Sequence, residues 1–108
     1  MKINPTVINW RNPTTYTDGT PFGEDDFAGY DFGFRPVNSG EFTPTVAVPV
    51  TFNQTSLDIS LLDLPELTDL DLSMRTVARN GLVSAWANPV QIRFDSRTPE
   101  APLDLLAA

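Results

Sequence analysis

The segment Asp71–Phe94 constrains the fold most strongly, because it has the sequence pattern of a complete β-hairpin. It begins with DLSMRTVA, which alternates polar and apolar side chains, and it ends with PVQIRF, which alternates again. This two-residue period is that of a strand with one buried face, and it predicts that the even-numbered residues from 72 to 78 point to the same side. Asn80-Gly81, between the two runs, favours the positive φ angles of a tight hairpin turn. The sequence therefore predicts two antiparallel strands joined by a short turn.

Length and proline content indicate a single all-β domain. The chain has 108 residues, enough for one hydrophobic core. Its ten prolines are nearly twice the usual share of about 5%, which favours short strands and turns over long helices. Six alternating runs are predicted as strands, at residues 6–10, 29–35, 46–52, 57–61, 71–78 and 90–94. Pro44 and Pro49 cannot donate ladder hydrogen bonds, so the run 46–52 is predicted to lie at a sheet edge.

The charge and the missing residue types exclude several classes of function. The net charge is −7, with only seven scattered Lys and Arg residues, so neither nucleic acid nor an anionic membrane is an expected partner. The chain contains no cysteine and no histidine, which excludes Ser-His-Asp and Cys-His catalysis and the commonest zinc sites. We therefore expect a protein that is not an enzyme, with no catalytic residue, no metal site and no cofactor.

The sequence shows no targeting signal. The first residues, MKINPTVINW, lack the charged and apolar regions of a signal peptide, and no stretch approaches the roughly 20 apolar residues of a membrane span. If Met1 is the native start, the protein is expected to fold in the cytoplasm where it is made.

Three stretches together resemble the fibronectin type III family, whose domains are immunoglobulin-like antiparallel β-sandwiches. VINWRNP followed by GYDFGF resembles the strand that ends in a core tryptophan and the later strand that opens with Gly-Tyr. LSMRTVARNGLVSAWANPV resembles the penultimate strand, the turn and the closing strand. The resemblance implies an all-β sandwich in which Trp10, Tyr30 and Ala78 are core or framework residues. Leu72 stands where the family usually has a tyrosine, and only residues 1–5 are available for its first strand.

The C-terminal end is predicted to be separate from the sandwich, which we place at residues 1–98. The segment 99–108 contains APLDL at 101–105, which looks like the proline-rich opening of the family's first strand. One hypothesis is that this tail, through Leu103 and Leu105, supplies an edge strand to its own sheet or to a neighbouring subunit. The alternative is a frayed terminus or a linker.

Aromatic residues are the other candidate binding residues. Tyr16, Phe22 and Phe27 lie in a long loop between residues 11 and 28, where they could form a sugar-stacking or protein-docking surface or cover one end of the sandwich. Trp86 follows the hairpin turn, where packing is the favoured role and an exposed contact is the alternative.

Two groups of acidic residues are predicted to be solvated and to bind no ligand. The first group comprises Asp18, Glu24, Asp25 and Asp26. These carboxylates could bind calcium, but their spacing is not that of an EF-hand, so a solvated acidic loop is favoured.

The second group comprises Asp58, Asp63, Glu66, Asp69 and Asp71. These residues could supply the paired carboxylates of a glycosidase, but they alternate with leucines and are predicted to form a solvated sheet face.

The resemblance to a fibronectin type III-like domain implies a structural or binding module. A solitary domain of this kind that starts with its own Met1 and has neither signal nor cysteine is expected among bacteriophage virion proteins. We therefore expect a virion structural or decoration protein of the capsid, neck or tail, assembled in the host cytoplasm, whose partners are itself or other virion subunits. The alternative is a carbohydrate-binding or adhesion module, extracellular or at the cell surface as part of a larger protein, with a surface glycan as its partner.

Overall fold

The computed structural model describes residues 1–107 and shows an all-β chain. Apart from two short 3₁₀ helices, at Glu24–Asp26 and Ile59–Leu62, the regular elements of the described residues are strands. They are β1 (Lys2–Ile3), β2 (Val7–Asn9), β3 (Phe27–Pro36), β4 (Thr43–Pro44), β5 (Ser56–Asp58), β6 (Leu70–Ala78) and β7 (Val90–Arg93). The predicted all-β class is confirmed.

The strands form two sheets. The larger has the order β1-β7-β6-β3-β4, and the smaller pairs β2 with β5. All neighbours are antiparallel except β1, which runs parallel to β7. The pairing of β3 with β6 is the longest and runs from Phe27 opposite Ala78 to Pro36 opposite Leu70. These two strands form the centre of the molecule.

The predicted hairpin is present, with a more irregular second half than its pattern suggests. Gly81 has φ +86°, and the amide of Ala78 donates to the carbonyl of Leu82 at 2.9 Å, which closes the turn. The chain then returns along β6 but departs from regular pairing before β7 begins at Val90, opposite Leu72. The intervening residues carry Trp86 onto the face of the large sheet that points away from the core.

The core lies between the two sheets. Alternate residues of the large sheet meet residues of β5 and of the 3₁₀ helix that follows it, so the inner face of the predicted hairpin is buried as expected. The buried residues of this cluster are Phe32, Leu57, Ile59, Leu62, Leu70, Leu72 and Ile92. Trp10 and Tyr30, framework residues by the family resemblance, pack against it. A second, smaller cluster contains Ala78, the third of these framework residues, at one end of the domain.

Two predicted strands are shorter than expected or absent. The run 46–52 forms no strand, and β4 ends at Pro44, since Pro44 and Pro49 lack the amide hydrogens that a regular ladder requires. The run 57–61 leaves the strand after Asp58, whose carboxylate accepts a hydrogen bond from the amide of Ser60 and starts the 3₁₀ helix.

The described part of the tail forms no strand in the sheet of its own chain in this structure. β1 occupies the sheet edge next to β7, where the amide of Asn4 donates to the carbonyl of Arg93 at 2.8 Å. The side chain of Asn4 then clamps Asp95, accepting from its amide and donating to its carbonyl. Beyond this clamp, residues 99–107 form no strand. Residue 108 of the predicted tail lies outside the described residues.

Candidate functional site

Phe22 and Phe27, considered in the sequence as exposed binding residues, are each only 7% exposed. The ring of Phe22 lies 5.0 Å from that of Tyr16, and the ring of Phe27 lies 5.4 Å from that of Phe52. A stacking surface cannot use Phe22 and Phe27, because neighbouring side chains cover their rings. The long loop instead covers one end of the domain, and Tyr16 is its half-buried outer member.

Two of the four acidic residues of this loop, Asp18 and Asp26, make hydrogen bonds within it, whereas Glu24 and Asp25 are exposed. The hydroxyl of Tyr16 donates to Asp26 Oδ1 at 3.0 Å, and Asp26 Oδ2 accepts from the amide of Gly23. Asp18 accepts from the hydroxyl and the amide of Thr20, and these hydrogen bonds lower the pKa of Asp18. Within residues 1–107 no three acidic side chains come together in a group that could hold a metal ion.

Trp86 belongs to a stack of side chains on the outer face of the large sheet. The guanidinium of Arg75 lies 4.6 Å from the centre of the Trp86 ring, and that of Arg35 lies 4.4 Å from the centre of the Phe42 ring. The two rings are 5.2 Å apart. We call these four residues the outer stack. The geometry is that of cation–π contacts, which favours the packing role for Trp86.

Gly33 allows the outer stack to lie against the sheet. A Cβ atom at this position would lie 2.8 Å from Cη2 of Trp86 and 3.1 Å from Cβ of Phe42. Gly33→Ala should therefore displace the Trp86 ring and lower the free energy of unfolding by about 2 kcal/mol, measured by urea denaturation and tryptophan fluorescence.

Gly23→Ala is the matched control, because a Cβ there meets no atom within 4 Å. It should change the stability by less than about 0.5 kcal/mol. If both alanine variants retain the stability and fluorescence of the parent chain, Trp86 does not lie against Gly33.

Asp71 is buried, although the sequence predicted that it lies on a solvated face. The other four acidic residues of that group are exposed, but Asp71 is only 1% exposed. Its Oδ2 accepts hydrogen bonds from Arg35 Nε and from the amide of Asn38, both at 3.0 Å. The turn after β3 therefore covers this part of the outer face. Next to it, the buried hydroxyl of Ser73 donates to the carbonyl of Ala87 at 2.6 Å.

One edge of β3 is open for half its length. β6 pairs with β3 along all of Phe27–Pro36, whereas β4 pairs only with Gly33 and Phe34. The last contact on that side is the hydrogen bond from the amide of Thr45 to the carbonyl of Phe32, at 2.9 Å. Residues 28–31 then face a groove of about 630 Å³ instead of a neighbouring strand.

This groove, which we call the β3 groove, has an apolar opposite wall. It is lined by residues 28–32 of β3, by residues 44–50 and by Val77. Val46 is half exposed on this wall. The sequence did not predict the groove, because the run 46–52 was expected to pair as an edge strand and would have covered it.

The most exposed leucines of the described chain lie in the tail: Leu103 and Leu105, which the sequence predicted as binding residues, and their neighbour Leu106. Leu103 is 80% exposed, Leu105 93% and Leu106 84%. The other described residues of the tail, from 99 to 107, are exposed as well. An apolar segment that covers nothing in its own chain is a feature of interaction sites.

The structure thus brings Tyr16, Phe22 and Phe27 together, but places Trp86 on a different face and leaves the leucine tail exposed. No helix among the described residues has the length and apolar character needed to cross a membrane. In comparisons with protein-family models, with curated proteins and with solved structures, nothing matches the chain. Two features of the described chain lack an intramolecular partner, the β3 groove and the leucine tail.

Proposed function

We propose that the chain is a non-enzymatic binding module with an immunoglobulin-like, fibronectin type III-like sandwich, and that it acts through protein–protein contacts as a structural or decoration protein of a virion. The single observation that supports contacts with protein is the coexistence of an unpaired strand edge and an exposed leucine segment on one small domain.

The strand order supports the immunoglobulin-like assignment. In that fold the third, sixth and seventh strands, called C, F and G, are neighbours in one sheet, and the second and fifth, B and E, are neighbours in the other. Here β3, β6 and β7 are adjacent in that order, and β2 pairs with β5. Trp10 lies edge-to-face against Tyr30 and Phe32, with ring centres 5.6 and 5.9 Å apart, as a core tryptophan between the sheets.

Protein contacts have more support than sugar stacking. A sugar ring needs the open face of an aromatic side chain. Phe22 and Phe27 are buried, and the guanidinium of Arg75 lies over one face of the partly buried Trp86 ring. Leucines, in contrast, gain from contact with another apolar surface, by roughly 25 cal/mol per Å² removed from water. The virion assignment comes from the resemblance of the sequence to fibronectin type III-like domains, and it is an analogy at the level of the fold.

Virus particles from the source organism give the direct test. We expect the chain to sediment with intact particles through a density gradient, in a fixed number of copies per particle, and to be labelled on their surface by an antibody. A glycan array run with the same protein checks the alternative. Absence of the chain from purified particles, together with specific binding to a sugar, would overturn the proposed function.

A further inference from the structure

We infer that the leucine tail of one molecule docks as an added strand on the open edge of β3 in a second copy and fills the β3 groove. This inference rests on the proposed function, because it specifies which protein contact the module makes. It joins the two features of the chain that have no intramolecular partner, and it names a second copy of this chain as the occupant.

The open edge of β3, which would accept the tail, has backbone groups that continue beyond the hydrogen bonds made by β4 and Thr45. In a strand, the backbone groups of every second residue point to the same edge. Because the carbonyl of Phe32 already accepts from Thr45 on this side, the amide and carbonyl of Tyr30 point the same way, beyond the end of β4. A docked strand would therefore continue the ladder that β4 begins.

The wall opposite this edge matches an apolar strand. Residues 44–50 contribute Val46, Val48 and Val50, and Val77 of β6 also lines the groove. Side chains on one face of a docked strand would contact these valines, which is the usual arrangement when a peptide is added to a sheet edge.

The tail has the length and pattern of such a strand. Leu103 and Leu105 are two residues apart, so an extended chain puts both on one face and Asp104 on the other. The residues that follow Pro102, from 103 to 107, can span roughly 17 Å when extended, which matches the length of residues 28–32. Asp104 has φ +53° in the free molecule, so docking requires this residue to rotate into the extended region.

The position of the tail favours a second copy. The tail leaves the domain after β7, near the edge that β1 closes, whereas the β3 groove lies on the other side of β6. Residues 99–107 are exposed, and none of them lines the β3 groove of its own chain. Donor and acceptor surfaces differ, so the contact is head-to-tail and can build rings or chains of subunits.

Charge predicts the salt dependence of this contact. Each copy carries a net charge of −7, and the tail itself contains Glu100 and Asp104. Repulsion between copies is screened by salt. We therefore expect self-association of the full chain to strengthen as sodium chloride is raised from low to about physiological concentration.

The test uses two variants of the full chain in sedimentation velocity experiments over a concentration series. The donor variant, Leu103→Asp with Leu105→Asp, keeps its β3 groove, and the acceptor variant, Val46→Asp, keeps its tail. Each should self-associate at least about 30-fold more weakly than the parent chain, because apolar contacts in the groove are lost. Mixed together, they should form a one-to-one dimer and nothing larger, since only one donor and one acceptor remain intact.

Leu82→Asp is the control, because Leu82 is 70% exposed and does not line the β3 groove. It should self-associate as the parent chain does. The inference is overturned if the donor variant associates normally, if the mixture yields no dimer, or if the parent chain stays monomeric at every concentration and salt. The two proposals fail separately. A monomeric chain that sediments with virions refutes strand addition alone. A self-associating chain that is absent from virions and binds a sugar specifically refutes the proposed function alone.

Discussion

Arg35→Met should lower the free energy of unfolding by about 3 kcal/mol, because it leaves the buried carboxylate of Asp71 without a charged partner. Methionine keeps an apolar stem beside Phe42 but has no guanidinium to donate to Asp71 Oδ2. The amide of Asn38 would be the remaining hydrogen-bond donor to that oxygen. Urea denaturation followed by circular dichroism measures the loss, which is a large share of the roughly 5–15 kcal/mol typical of a domain.

Arg93→Met is the matched control for this prediction. Arg93 pairs with Asp69 at 3.1 Å, but both side chains are substantially exposed, so the pair should contribute less than about 1 kcal/mol. The double variant Arg35→Met with Asp71→Leu should regain much of the lost stability, because removing both charges leaves none buried and unpaired. Equal losses for Arg35→Met and Arg93→Met would contradict the burial of Asp71.

The sequence predicted those parts of the fold that are determined by neighbouring residues in the chain. The hairpin was predictable because alternation and the Asn80-Gly81 turn are encoded within one continuous stretch. The burial of Leu70 and Leu72 on the inner face follows from the same alternation. Turn residues act through the conformation of their own segment, so the all-β class could be predicted from composition and spacing.

The parts that sequence did not predict depend on segments distant in the chain. Asp71 and Asp58 alternate with apolar neighbours in the same way, but Arg35 and the turn after β3 cover Asp71, while Asp58 stays exposed. Trp86 contacts Gly33, which is distant in the sequence, so the alternation of residues around Trp86 does not indicate this contact. The β3 groove exists because prolines stop a strand that alternation alone predicts.

The stability of the long loop depends on a residue that the sequence did not single out. Asn12 Oδ1 accepts hydrogen bonds from Trp10 Nε1, at 2.9 Å, and from the hydroxyl of Tyr30, while its Nδ2 donates to the carbonyl of Phe52 at 2.6 Å. One side chain thereby connects the end of β2, the central strand β3 and the segment before β5. Asn12 precedes Pro13, a pairing that is common in turns, so the sequence does not indicate that its side chain connects these three segments.

Asn12→Ala should lower the free energy of unfolding by about 3 kcal/mol, because it leaves partly buried donors on Trp10 and Tyr30 without their acceptor. Asn53→Ala, an exposed asparagine close to the same segment, should cost less than about 0.5 kcal/mol. Tyr30→Phe removes one of the donors. The loss of unfolding free energy in the double variant Asn12→Ala with Tyr30→Phe should therefore be smaller than the sum of the losses in the two single variants. Strict additivity in this double-mutant cycle, measured by urea denaturation, would show that Asn12 and Tyr30 act independently and that the hydrogen bond between them does not hold the loop on the sheet.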